Sequence, residues 1–241
     1  MIVTSTPFGS RLVTQSDHAR LAAEMLRLFR LPELIDQPRR AVLLRAIAEH
    51  DNGWWEADSA PRLDESLTGA LDFRALEPQL RREIWRRGVE RFADESPYLA
   101  ALIGTHSLRL LRRIQRRPQD PPGAAFREEM EVRQSELLEA SGETLASLAL
   151  DDPWLEVADN LSLAVCTGEA SFVSMPGWRA EVAGDRDTIE LGLQPFHLAG
   201  STSFELACRW LAPRRFSSAA ELAGALAAAG WTRTRVRVRP L

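Results

Sequence analysis

Three of the four histidines in this chain fall on the apolar stripe of a helical pattern, each in a different helix, and two aspartates join them there. His18 shares a face with Leu21, Ala22, Met25 and Phe29 at helical spacing. His50 comes three residues after Ile47 and Asp51 four after it, so both point inward with Leu43 and Ile47. His106 sits among Leu99, Leu102, Ile103 and Leu110, and Asp159 follows Leu155 by one helical turn. A buried carboxylate is costly unless something positive or donating meets it. All 30 basic residues are arginine, and none falls on these inward stripes. A divalent cation is the simplest group to gather three imidazoles and two carboxylates.

The rest of the pattern reads as helical for two-thirds of the chain. Helices are expected over 17–30, capped by Thr14 or Ser16 and stopped near Pro32, and over 39–51, ended by Asn52 and Gly53. A long polar loop, 54–76, follows, then helices over 77–92, 96–117 and 125–149, with a proline-rich break at 118–123. Asp152 and Pro153 read as the cap and first residue of a helix running to about Cys166. Strands are expected at 188–193, 203–211 and 231–239, with an alanine-rich helix capped by Ser217 or Ser218 before the last, and a possible edge strand at 1–4. The expected fold is therefore mainly α: a helical bundle over 1–168, with a small C-terminal α+β segment over 169–241 packed on it.

The ordered residues carry a resemblance. His18, the dyad His50-Asp51, and Asp159 in a later helix are similar to the signature of the HD-domain superfamily of metal-dependent phosphohydrolases. More narrowly, Gln15-Ser16-Asp17-His18-Ala19, Glu49-His50-Asp51-Asn52-Gly53-Trp54, Gly104-Thr105-His106 and Asp159-Asn160-Leu161-Ser162-Leu163 resemble an uncharacterised bacterial domain-of-unknown-function family with this HD-like pattern. The likeness extends to Pro195-Phe196 and the closing strand. It implies an HD-like bundle in which His18, His50, Asp51 and Asp159 ligate a metal. His106 is then a ligand to a second metal or a group facing a bound anion. Two imidazoles and two carboxylates suit Mn, Fe, Co, Ni or Zn, one or two ions, better than Ca or Mg. Such an ion turns a water it holds into a nucleophile near neutral pH, with Asp51 or Asp159 orienting it.

The implied activity is hydrolysis of a phosphate ester, a nucleotide or small phosphorylated metabolite, with Asp51 and His106 in catalytic roles. An HD-type di-iron oxygenase and a non-catalytic metal sensor or structural protein are the alternatives. One departure matters: some HD phosphohydrolases carry a lysine just after the dyad, where this chain has Asn52-Gly53-Trp54-Trp55. The tryptophans fit either a walled pocket or plain packing. Absence of lysine also excludes Schiff-base chemistry and a P-loop.

Other features are read as structural. His197 lies in a turn between strands; arginines 109, 112, 113, 116 and 117 read as a solvated helix end; the arginine stripe 233–239 reads as an exposed strand face. Cys166 reads as a buried thiol, and Ser162 as a hydrogen-bonding neighbour of the site. A net charge of −4 gives no case for nucleic acid or a membrane surface, and the most apolar run, 223–231, is too short to span a bilayer. Two cysteines and no signal-peptide pattern point to the cytoplasm.

Overall fold

The computed structural model describes residues 1–7, 9–114, 120–173 and 175–241. The chain opens with a hairpin, β1 (Ile2–Thr6) and β2 (Gly9–Val13), and enters α1 (Gln15–Arg27), α2 (Pro32–Ile35), α3 (Arg40–Glu49) and α4 (Trp55–Ser59). It continues through α5 (Pro78–Glu90), α6 (Pro97–Ile114), α7 (Pro121–Ser141) and α8 (Leu145–Thr167). The C-terminal part adds β3 (Arg179–Gly184), β4 (Thr188–Gln194), β5 (Thr202–Leu211), α9 (Ala219–Ala229) and β6 (Thr232–Pro240).

The mainly helical bundle is overturned. About 54% of the described chain is helical, and the remainder includes a curled six-stranded mixed sheet, which makes the fold α/β. Strand order is β1-β2-β5-β6-β4-β3; β4 and β6 run parallel and all other neighbours antiparallel. The reason is non-local pairing: β2 meets β5 through Ser10↔Leu211, Arg11↔Trp210 and Leu12↔Arg209, so the two ends of the chain complete one sheet. One hydrophobic core runs from Leu26, Leu43, Leu102 and Leu161 in the helices into Leu191, Leu206 and Val236 in the sheet.

Helix boundaries follow from caps. Thr14 accepts from the Asp17 amide and starts α1. The pattern expected over 125–149 is divided, because α7 ends on Gly142 in the left-handed conformation and a Thr144–Ser147 capping box starts α8 immediately after. Pro153 lies inside α8 rather than at its start, and Asp152 is not its cap. Arg116, Arg117 and Pro118 lie outside the described residues, whereas Pro121 and Pro122 open α7. Among the described residues no helix is long and apolar enough to cross a membrane.

Three polar anchors hold α8 and the turn after α3 in place. Asp151, fully buried, accepts from the Tyr98 hydroxyl at 2.6 Å, from Arg39 Nε at 2.9 Å and from Gln37. At the other end of α8, buried Arg11 donates to the carbonyls of Val165 and Cys166 at 3.1 and 2.9 Å, a cation at a helix C-terminus. Beyond α3, the Asn52 amide donates to the Glu49 carbonyl (2.8 Å) and the Gly88 carbonyl (3.0 Å), clamping this turn onto α5. Gly53 permits that approach, since a Cβ there would lie 2.1 Å from the Ile84 carbonyl oxygen.

Gly53→Ala is therefore expected to lower unfolding free energy by about 1–3 kcal/mol through overpacking. Gly69→Ala, where an added Cβ meets nothing within 4 Å, is expected to stay within about 0.5 kcal/mol of wild type. Urea unfolding of both variants checks the pair; equal midpoints would refute the clamp.

Candidate metal centre

Four elements deliver the cluster. His18 comes from the second turn of α1, His50 caps α3 and Asp51 follows it, His106 comes from the middle of α6, and Asp159 from α8. All five residues are buried, the Asp51 side chain being the most exposed at 9%. The His50 ring lies between the other two, with centroids 4.9 Å from His18 and 4.8 Å from His106, both edge-on. His18 Nε2 stands 3.1 Å from Asp51 Oδ2 and 3.8 Å from Asp159 Oδ1; His50 Nε2 stands 3.5 and 3.4 Å from the same two oxygens. Two triads, His18-His50-Asp51 and His50-His106-Asp159, each bring their ligand atoms within 4.8 Å of one another, and this buried cluster can hold a metal ion.

The far nitrogen of each ring sets what the near nitrogen offers. His50 Nδ1 donates to the Ile47 carbonyl at 2.7 Å, which turns Nε2 into the cluster, where it has no hydrogen-bond partner. Ser162 Oγ donates to the Asp159 carbonyl at 3.0 Å and so accepts from His18 Nδ1 at 2.7 Å. His18 Nε2 is thereby also turned toward the carboxylates. A metal-binding histidine typically has its other nitrogen held in this way. His106 differs. Arg109 Nη2 donates to its Nδ1 at 2.9 Å, and a guanidinium can only donate. The neutral ring must then carry its proton on Nε2, which stands 3.9 Å from Asp51 Oδ1. Arg109 is held in turn by Asp152.

Charge in the cluster follows burial and proximity. Burial works against the His50 imidazolium, but Asp51 and Asp159 outweigh it and raise His50 to about 9. Burial dominates at His106 and lowers it to about 3, opposed by the carboxylates and reinforced by His50 and Arg109. Burial also disfavours the Asp51 and Asp159 carboxylates, yet the surrounding histidines hold both below the usual range.

The inward stripes thus do bring His18, His50, Asp51, His106 and Asp159 together, and Ser162 joins them. Arg109, expected as part of a solvated helix end, instead donates to His106. It stands three positions after His106, so helical spacing was the available signal. His197 stays away from the cluster, its ring against Trp178 and Phe29. Trp54 is buried beside Phe73, whereas Trp55 is 66% exposed.

The fold and cluster define an α/β protein with a buried histidine–aspartate centre. Its sequence matches the family described as Protein of unknown function (DUF3891) over residues 1–219, and the chain belongs to that family. No curated protein and no solved structure matches it.

The shifted histidines fix a pH profile for the metal-free protein. His50, raised from 6.5 to about 9, contributes stability that is complete below pH 6.5 and lost as pH climbs through 9. His106, lowered from 6.5 to about 3, has the opposite effect: stability is lost as pH falls below 6.5. Chelator-treated protein is therefore expected to be most stable at about pH 6.5. Urea midpoints across the range check this, and a midpoint still rising at about pH 9 would contradict it.

Proposed function

We propose that this protein is a metal-dependent hydrolase of a phosphate ester, with His18, His50, Asp51 and Asp159 holding one divalent transition-metal ion. The observation that carries the reading is the pair of Nε2 atoms turned on two carboxylates, each ring fixed from behind by Ser162 or the Ile47 carbonyl. The likeness of the residue order to HD-domain phosphohydrolases supports it. Two imidazoles with two carboxylates fit Mn, Fe, Co, Ni or Zn. When bound, the ion supplies a nucleophile at neutral pH and polarises a phosphoryl oxygen.

The chain's own groups supply the rest. Asp51, the most exposed of the set, is placed to orient the attacking water. His106 offers an N–H rather than a lone pair, because Arg109 occupies its Nδ1. It therefore serves as a donor to the phosphoryl oxygens or leaving group, not as a ligand. His50 has a single free nitrogen and cannot serve both triads at once, which favours one ion over the pair a di-iron oxygenase requires. The absence of lysine leaves arginine and His106 as the anion-facing groups.

Metal analysis of protein purified without a histidine tag, followed by a screen of phosphorylated metabolites, tests the proposal. His50→Ala and Asp51→Ala are expected to lose metal and hydrolysis together; hydrolysis persisting in both would rule it out. His106→Ala is expected to keep its metal and lose turnover by about 100-fold or more. Loss of metal in that variant would make His106 a ligand instead. A tightly held metal with no turnover on any phosphate ester would favour the non-catalytic reading.

A further inference from the structure

One groove has a volume of about 820 Å³, within the size range of small-molecule sites. Asp17, Glu49 and Asn52, the immediate neighbours of His18, His50 and Asp51, line one side of it. Trp55, from the start of α4, and Trp231, just before β6, line it as well. These two indoles are 66% and 53% exposed, far more than packing requires of so large an apolar ring. Each carries an arginine over its ring: Arg91 lies 5.9 Å from the Trp55 centroid and Arg209 4.3 Å from that of Trp231.

The two arginines differ in what else they meet. Arg91 is engaged by Glu56 and the Asn52 carbonyl. Arg209 has no ion-pair partner among the described residues, and its buried Nε has no hydrogen-bond partner. The groove therefore presents an exposed indole next to a guanidinium that has no ion-pair partner among the described residues. A planar ring stacks on the first and an anionic group meets the second. A cation over one indole face also draws π density from the other, which favours an aromatic ring over the C–H edge of a sugar.

We propose that this groove binds aromatic anions: a flat ring seated on Trp231 and Trp55, with Arg209 attracting the anionic portion. The ring-binding residues come from β5, α4 and the position just before β6, and none of the five cluster residues lines the groove.

Calorimetry with phenylphosphonate and ethylphosphonate, which share charge and carry an unreactive C–P bond, tests the inference on the metal-loaded full chain. Phenylphosphonate is expected to bind about tenfold more tightly. Trp231→Leu is expected to bring that ratio close to one with metal content unchanged, and Trp231→Phe to retain most of it. Arg209→Met is expected to weaken both probes. Equal binding of the two probes, binding of neither, or a ratio unchanged in the Trp231→Leu and Trp55→Leu variants would overturn the inference. Such a failure leaves metal binding by His50 intact. Failure of the metal reading is separate: it appears as unchanged metal content in His50→Ala.

Discussion

The centre depends on hydrogen bonds made behind its histidines. An imidazole has two nitrogens, and whichever one is engaged fixes what the other can present. The Ile47 carbonyl accepts a hydrogen bond from His50 Nδ1 and Ser162 Oγ accepts one from His18 Nδ1, so both rings present Nε2 to Asp51 and Asp159. Neither partner offers an atom to the ion the cluster could hold. Each belongs to a helix whose position is fixed by packing, which converts tertiary structure into ligand chemistry. The carboxylates then stay ionised despite burial, because three imidazoles surround them.

Holding four elements at this separation requires anchors that the apolar core alone does not supply. Core packing tolerates small slides along a helix axis, whereas a buried hydrogen bond does not. Asp151 pins the N-terminal half of α8 to Tyr98 and Arg39, and Arg11 pins its C-terminal end to β2. Asp159 and Ser162 lie between those two anchors. On the opposite side, Asn52 and Gly53 fix the turn carrying His50 and Asp51 against α5. Asn52 and Gly53 are thus explained by position rather than by chemistry with a ligand.

Local periodicity made much of this legible before any coordinates. The stripes holding His18, His50, His106 and Asp159 need only i, i+3 and i+4 spacing to be seen, and the last three strands alternate clearly. Pairing between β2 and β5 leaves no such trace, because it joins residues about two hundred positions apart. Gly9–Val13 and Arg179–Gly184 also carry few β-branched residues, so neither reads as a strand by itself. That is why an edge strand is expected at 1–4 without the β2 that links it to the C-terminal strands, and why the helical content is overweighted. Pro153 misled for a related reason: a proline marks a helix start well on average, but a strong capping box upstream at Thr144 overrides it. Arg109 looked solvated because its Cα lies on a flank of α6, while its long stem carries the guanidinium back to His106.

The all-arginine composition has a physical consequence at His106. A lysine beside His106 could lose its proton when desolvated and then accept as well as donate, leaving the ring tautomer free to switch. A guanidinium does not lose its proton in the accessible pH range and offers no lone pair. Arg109 therefore keeps His106 Nδ1 an acceptor and its Nε2 a donor at every pH the protein meets, so long as Asp152 holds the arginine in place. The same permanence applies to Arg39 on buried Asp151. His106 is thereby fixed as a donor toward the carboxylates, while His18, His50, Asp51 and Asp159 have the geometry to share a cation.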